Sequence, residues 1–463
     1  MSEQGGPLFE RVGMKLKGAA GSYREFNDRP ALTIDVNKFK KKQRFHGLEK
    51  FSLNNSVQDE TYLCEALAAE LFQEAAYPVP RAAYVHVVLN NRDVGLYVIK
   101  EAFDKNFLKR NFASASGNLY EGGFVQDIDA ALVKDEGEGP DDLSDLRAIT
   151  TALQLPPDER RHELERLVDM PRFITFAVME KMLGHWDGYT CSANNYRIYF
   201  DAASGRAIFL PHGMDQLFGD PGMPLFDHTH TLLGGELMRH DVWRAAFRRE
   251  AERLVKLFAA ERLSAKVDRL TAHVERHLRE IEGADLEGYR ERSAEFRSRV
   301  IERAKNIVAQ LAEPDQEPAD IDQQGRVVLG EWWPSAESED TPLSKEGEEN
   351  SDSLLLRIDG SRTTRTIAAW HHEVLLPRGS YRLHISAKIA GAAELRHEDG
   401  NVEPGGVDIV CGDQGHERFA EDRDIDIDFD VNEDRRMIAM ELRLVTSAGT
   451  VEFRNIRLET RKP

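Results

Sequence analysis

Two short stretches of this chain collect the residue types that hold hard cations and move protons. His185-Trp186-Asp187-Gly188-Tyr189 leads to Asn194-Asn195-Tyr196, then to two strand-like runs, then to Pro211-His212-Gly213-Met214-Asp215-Gln216-Leu217-Phe218-Gly219. If both loops lie at the same end of one hairpin, Asp187, Asn195 and Asp215 converge. Oxygen ligands gathered in this way suit Mg²⁺, and a carboxylate left beside them can position an attacking hydroxyl. The pattern points to phosphoryl transfer, although each residue taken alone also fits a polar turn.

The elements that would position these residues are legible on both sides. Residues 12–17 alternate weakly and run into Gly18-Ala19-Ala20-Gly21-Ser22, a small-residue turn whose amides can approach phosphate oxygens. A single GxxG also fits a plain hairpin. Residues 31–36 alternate as a strand, and the basic run 38–42 reads as a solvated loop. Residues 59–76 place Leu63, Ala66, Leu67 and Leu71 on one helical face, with Asp59 or Thr61 as N-cap. Strands over 83–89 and 94–99 flank Asn90-Asn91-Arg92-Asp93, a hairpin signal. Strand, turn, strand, strand, helix, strand, strand, connector is the order of a protein-kinase small lobe.

Further on, 127–155 is acidic and broken by Gly137 and Gly139-Pro140, which predicts a mobile surface segment. Helices are predicted over 157–167 and 170–184, and the second is apolar enough to be buried as it delivers the chain to Asp187. Helical spacing continues over 236–258, 260–282 and 286–311. Residues 313–325 are rich in Asp, Glu, Pro and Gln and mark a boundary. Eight short alternating runs follow, at 326–329, 353–358, 366–370, 380–389, 406–410, 424–431, 437–445 and 450–458, the pattern of an antiparallel β-sandwich. The expected layout is a kinase-like small lobe over 1–104, a mainly helical large lobe over 105–312, a linker over 313–325 and an accessory sandwich over 326–463. The fold class is α+β: an atypical two-lobed protein-kinase-like fold followed by an antiparallel, jelly-roll-like β-sandwich.

A formal net charge of −20 over 463 residues argues against a general nucleic-acid binder and against adhesion to anionic lipid. Cys64, Cys191 and Cys411 are far apart and suggest neither a disulfide scaffold nor a zinc site. No run approaches the length of a membrane span. The first residues carry no basic and apolar leader pattern, so the expectation is a cytoplasmic protein or one whose leader has been omitted.

Lys15-Leu16-Lys17-Gly18 with Ser22, Arg44-Phe45-His46-Gly47-Leu48, Leu53-Asn54-Asn55, Asp59 with Tyr62-Leu63, Gly95–Glu101, Asp104–Leu108, Gly117-Asn118-Leu119-Tyr120, Trp186-Asp187 and Met214–Gly219 come in an ordered series. Together, over roughly 12–310, they resemble the spore-coat protein H (CotH) family of atypical kinases. The resemblance implies ATP and Mg²⁺ (or Mn²⁺) as cofactors and a surface or coat location. It casts Asp187 as the acid that orients the substrate hydroxyl, and Asn195 and Asp215 as metal ligands, with Asn194 in reserve. Gly18, Gly21 and Ser22 of the turn would cover the phosphates, and Arg29, or Lys17 or Lys15 in its place, would be the phosphate contact. Glu65 would pair with a cation, Glu101 would belong to the adenine-side connector Glu101–Phe103, and His212 would contact a phosphate or Asp215.

Departures from the family pattern are Gly213 for the first acid of its DxD element, Cys64 for an arginine, Arg29 for the basic residue of its third strand and Glu121 for a lysine. Three functions follow: a kinase acting on Ser, Thr or Tyr of envelope or coat proteins, a kinase-like structural or binding module, and a nucleotide-dependent transferase acting on a small molecule or sugar. Trp332, Trp333 and Trp370 offer a glycan platform or core packing. His228 and His230 resemble a metal pair without a third ligand, and His371-His372 reads as the exposed end of a strand.

Overall fold

The strands that alternate in sequence close into one antiparallel sheet. The computed structural model describes residues 1–463 except 20, 227, 228, 230, 339, 352, 361–364, 397–401, 462 and 463. Strands β1 (Gly13–Lys17), β2 (Ala31–Asp35), β3 (Lys50–Asn54), β4 (Ala82–Leu89) and β5 (Arg92–Glu101) stand in the order β1-β2-β3-β5-β4, with α1 (Cys64–Glu74) between β3 and β4. Period-2 alternation sorts β5 cleanly. Tyr97 joins Leu32, Ile34 and Phe51 on one face, while Leu96 and Val98 turn to the face that buries Leu67 and Leu71 of α1. Each such buried aliphatic contributes about 2 kcal/mol of transfer free energy. Asn90 and Asn91 both adopt positive φ, as the tight β4–β5 turn requires.

α1 begins five residues later than its spacing predicts. Asp59 makes a turn instead, its carboxylate accepting the N–H groups of Thr61 at 3.1 Å and Cys64 at 2.9 Å. These bonds take up donors that an earlier helix start would have used.

A second sheet lies beyond α2 (Lys105–Asn111). Its strands β6 (Leu119–Glu121), β7 (Val133–Glu136), β8 (Tyr196–Asp201) and β9 (Arg206–Pro211) are ordered β7-β6-β8-β9. The segment expected to be mobile is therefore structured: it supplies β7 and α3 (Ser144–Ala152). Asn118 orders it by accepting the Gly139 N–H and donating to Pro140 O and Asp145. α4 (Pro157–Leu167) and α5 (Met170–Leu183) follow, and Phe173 and Phe176 of α5 pack on Phe209 with ring centres 4.9 and 5.9 Å apart. After the short α6 (Tyr189–Ser192) and the β8–β9 hairpin come α7 (Leu232–Arg239), α8 (Asp241–Leu254), a 3₁₀ turn at Val255–Phe258, α9 (Ala260–Leu278) and α10 (Leu286–Ala312). The helix expected over 236–258 is thus three pieces. No described helix is long and apolar enough to cross a membrane.

The chain divides into two compact units, 1–238 with 242–314, and 239–241 with 315–463. The second unit is an antiparallel β-sandwich. Its strands are β10 (Trp333–Ala336), β11 (Leu343–Glu346), β12 (Leu355–Asp359), β13 (Thr366–Ala390), β14 (Leu395–Arg396), β15 (Val402–Glu403), β16 (Gly406–Cys411), β17 (Gln414–Phe419), β18 (Arg423–Thr446) and β19 (Thr450–Thr460). The runs 366–370 and 380–389 belong to one strand, β13, and 424–431 and 437–445 belong to β18. The two pair along their length across an irregularity at Pro377–Gly379. β10 pairs with the first half of β13 and β19 with the second.

Candidate active site

α5 stops at Gly184, whose φ of 64° turns the chain into His185-Trp186-Asp187. Buried Glu180, one turn earlier, receives the returning backbone. Its carboxylate accepts the N–H of Tyr189 at 3.0 Å and of Thr190 at 2.9 Å. A Cβ at Gly188 would stand 2.6 Å from Glu180 Oε1, so only glycine lets the loop close this tightly. Burial pushes the Glu180 carboxyl above its ordinary range, against the opposing pull of His185 and those N–H groups. The loop ends on half-buried Asp187, whose two oxygens accept Nδ2 of Asn194 at 2.9 Å and Nδ2 of Asn195 at 2.7 Å.

The second loop is tied to the first and to the five-stranded sheet. His185 Nε2–H donates to the carbonyl of His212 at 3.1 Å. Glu65 of α1 accepts Lys100 Nζ at 2.5 Å and the Met214 N–H at 3.1 Å on the same oxygen. Asn54, at the end of β3, donates to Asp215 Oδ2 at 3.0 Å, and its neighbour Asn55 donates to the carbonyls of Ser22 at 3.1 Å and Arg29 at 2.8 Å. Two consecutive asparagines thus anchor the Asp215 loop and the glycine turn to one point.

The turn itself uses Gly18 at φ 112° and Gly21 at φ 80°, and the Ser22 hydroxyl accepts the Ala19 N–H at 3.1 Å. Lys17 precedes it. Burial lowers the Lys17 pKa, Lys100 adds to the shift, and Glu65 and Asp215 oppose it. Burial, followed by Lys100, Arg197, Lys17 and His185, holds His212 well below the usual histidine value and therefore neutral at pH 7.

The donor set fits a hard cation. Asp215 keeps Oδ1 and Asn195 keeps Oδ1 without a hydrogen bond among the described residues, and the latter faces Gly213: a Cβ there would lie 2.2 Å from it. Both are oxygens of the kind Mg²⁺ and Mn²⁺ take, on adjoining loops. Among the described residues no three His, Cys, Asp or Glu side chains gather as a metal cluster, at these loops or elsewhere, so the candidate ligands here are one carboxylate and one amide. Beside Asp187 opens a cavity of about 720 Å³ lined by Gln58, Phe124, Asp129, Trp186 and Gln216 among others. Gln58, which lines this cavity, also abuts Gly21 of the glycine turn.

Of the residues expected at the site, Asp187, Asn195, Asp215, His212, Glu65, Lys17 and the turn Gly18, Gly21 and Ser22 come together. Two have other partners. Arg29 donates through Nη2 to the Tyr62 hydroxyl at 2.8 Å and to Leu96 O, and its guanidinium lies over the rings of Tyr62 and Tyr97. Glu101 is buried and bound by Arg81 and Arg110, so its carboxylate serves to pin the connector. Sequence reasoning missed Lys100 and Asn54 as site residues. The signal for Lys100 was its parity with Leu96 and Val98, which turns a charge onto an apolar face where only a buried partner makes it tolerable.

The departures acquire local explanations. Gly213 adopts φ 55° against the Asn195 side chain, where any Cβ collides. Cys64 is buried, and its thiol is pushed well up by burial and by Asp59, so it stays protonated. Glu121 pairs with Arg197 at 2.8 Å. The three tryptophans do not form a platform: Trp332 and Trp370 are buried and Trp333 is 44% exposed. His371-His372 is not a strand end but lies within β13, with His372 buried and bonded to Glu331 O. His228 and His230 lie outside the described residues.

A helix-braced antiparallel sheet carrying a buried Lys–Glu pair, set against two joined acid-bearing loops, defines a two-lobed kinase-like architecture. The sequence model of the CotH kinase protein family matches residues 15–287, more than half of the chain, and the chain belongs to that family of atypical kinases. Among curated relatives, "Spore coat protein homolog 1" of Rhizopus delemar is 24% identical over 183 residues, 36% of this chain and 30% of that protein. "Inner spore coat protein H" of Bacillus subtilis is 20% identical over 195 residues, 39% of this chain and 53% of that one. The chain therefore spans about a third to a half of these relatives. Among solved structures, the Helicobacter pylori proinflammatory kinase CtkA aligns at TM-score 0.31 and 9% identity, covering 64% of this chain and 98% of that one. A likeness at that score carries no argument about individual residues.

Proposed function

We propose that the chain transfers the γ-phosphoryl group of ATP, with Mg²⁺ or Mn²⁺, to a Ser, Thr or Tyr hydroxyl of a coat or envelope protein. The observation that carries this reading is the joining of Asp187 to the Asp215 loop through His185 and His212 O, with the Glu65–Lys100 pair gripping the same loop at Met214. The acceptor oxygen forms the new bond to γ-phosphorus, the bond to the β,γ-bridging oxygen breaks, and ADP leaves. Asp187 orients the hydroxyl and takes its proton, Asn194 and Asn195 fixing the carboxylate for that task. Asp215 and Asn195 would hold the cation, which supplies neutralisation of phosphate charge when bound. Lys100 and Lys17 give fixed positive charge on the small-lobe side.

The cavity beside Asp187 supports a polypeptide acceptor. Phe124 and Trp186, 68% and 51% exposed, offer apolar contact to residues flanking the hydroxyl. The test is to incubate the protein with labelled ATP and either metal in the presence of coat or envelope protein. Label on protein supports the reading. Neither binding nor transfer under any divalent metal overturns it, binding without transfer turns it into a kinase-like module, and label on sugar alone overturns the acceptor.

A further inference from the structure

An α-helix leaves its last four carbonyls without partners inside the helix, and in α5 these belong to Glu180, Lys181, Met182 and Leu183. The turning chain serves the first of them, as Glu180 O accepts the His185 N–H at 2.9 Å. The other three draw on residues far along the chain. Arg303 of α10 donates Nη2 to Lys181 O at 2.5 Å and Nε to Met182 O at 3.2 Å, and Phe218 donates its N–H to Leu183 O at 2.9 Å. A cation at this helix end also meets the negative pole of the helix dipole.

The same guanidinium turns its other edge to the chain that leaves the Asp215 loop. Nη1 donates to Pro221 O at 3.2 Å and to Met223 O, and Arg303 is 0% exposed. Along the same side of α10, Arg299 Nε donates to Phe218 O at 3.2 Å, Gln310 Nε2 donates to Met223 O at 3.1 Å, and the rings of Phe296 and Phe218 meet at 5.9 Å. Positions 296, 299, 303 and 310 are spaced by three, four and seven, which puts them on one helical face.

Phe218 is thereby held at its N–H, its carbonyl and its ring. Its φ is 56°, left-handed backbone that a bulky residue adopts only where its surroundings fix it. It follows Asp215 by three residues, and Asp187 follows Leu183 by four. The joint of Leu183, Phe218 and Arg303 therefore stands at the root of both acid-bearing loops. Arg299 and Arg303 lie past residue 287, where the match to the family ends.

We propose that Arg303, with Arg299, is a positioning residue for phosphoryl transfer: α10 ties the end of α5 to Phe218 and so sets how Asp187 stands relative to Asp215. The inference rests on the phosphoryl-transfer reading. Neither arginine touches the reacting atoms. A small displacement of one acid against the other lowers the rate of transfer without removing a group that binds nucleotide.

Single-turnover transfer of label from ATP, calorimetric binding of MgATP and thermal melting are measured on the full chain for wild type, Arg299→Ala, Arg303→Met and Arg303→Lys. The expected result is transfer slowed about tenfold in Arg299→Ala and about a hundredfold in Arg303→Met, with MgATP affinity held within about threefold. Arg303→Lys, which keeps the charge but reaches fewer carbonyls, is expected between Arg303→Met and wild type. If Arg303→Met does not fold, Arg299→Ala, whose side chain is only partly buried, carries the test alone. A wild-type rate in Arg299→Ala or in folded Arg303→Met overturns the inference, and so does a loss of MgATP affinity as large as the loss of rate. Wild type that transfers no label with either metal overturns the phosphoryl-transfer reading, and the positioning role falls with it.

Discussion

Gly213 shows most clearly how one residue shapes the site. Its φ of 55° and the Asn195 amide 2.2 Å from its imagined Cβ mean that the second loop closes only around a glycine. The missing carboxylate of the family's DxD element is then exchanged for close contact between the two loops, and Asn195 keeps an oxygen open beside Asp215. Gly213→Ala is expected to cost about 1–2 kcal/mol of stability from backbone strain, and to lower transfer by about a hundredfold as Asn195 is displaced, read by melting and by single-turnover kinetics. The acids of the site were legible in sequence because each sits in a local motif beside a strand. Lys100 and Asn54 were not, since their partners Glu65 and Asp215 lie 35 and 161 residues away and no local pattern announces them.

Among the elements, α5 and the β8–β9 hairpin do the positioning. Periodicity predicted both, because their apolar faces repeat at the period of the element that buries them. It failed at 127–155, where Gly137 and Gly139 signal loop but in fact give Asn118 room to bond the backbone and hold β7 and α3 in place. It also placed the start of α1 too early, because Asp59 bonds forward into a turn. The grip of α5 on the catalytic loop is testable through Glu180. Glu180→Ala leaves the buried N–H groups of Tyr189 and Thr190 without acceptors, at a cost of about 2–4 kcal/mol, and should lower kcat far more than it weakens nucleotide binding. Equal effects on both would deny the loop-positioning role.

At the scale of the molecule, two compact units share one chain with a net charge of −20, and each has its own core. The sandwich was legible as alternating runs, but sequence could not show that β13 and β18 each pass through a bend as single strands, since the breaks at Pro377–Gly379 and around 432–436 look like ordinary turns. Within that unit Asp408 is buried. Burial raises its pKa, but hydrogen bonds from Arg418 and Arg443 outweigh this and hold the carboxyl below its ordinary 3.8. A depressed carboxylate contributes stability that is present above 3.8 and lost as pH falls through the lower folded value. Asp408→Asn should therefore lower sandwich stability by about 1–3 kcal/mol at pH 7, with the gap to wild type closing below pH 3.8 in melting curves. In the first unit the work of transfer divides between two acids. The most direct measurement is labelled-ATP transfer together with MgATP binding for Asp187→Asn and Asp215→Asn. Asp187→Asn is expected to bind MgATP like wild type but to transfer about a hundredfold to ten-thousandfold more slowly, while Asp215→Asn is expected to lose the metal-dependent part of nucleotide binding. Transfer at wild-type rate by either variant would contradict it.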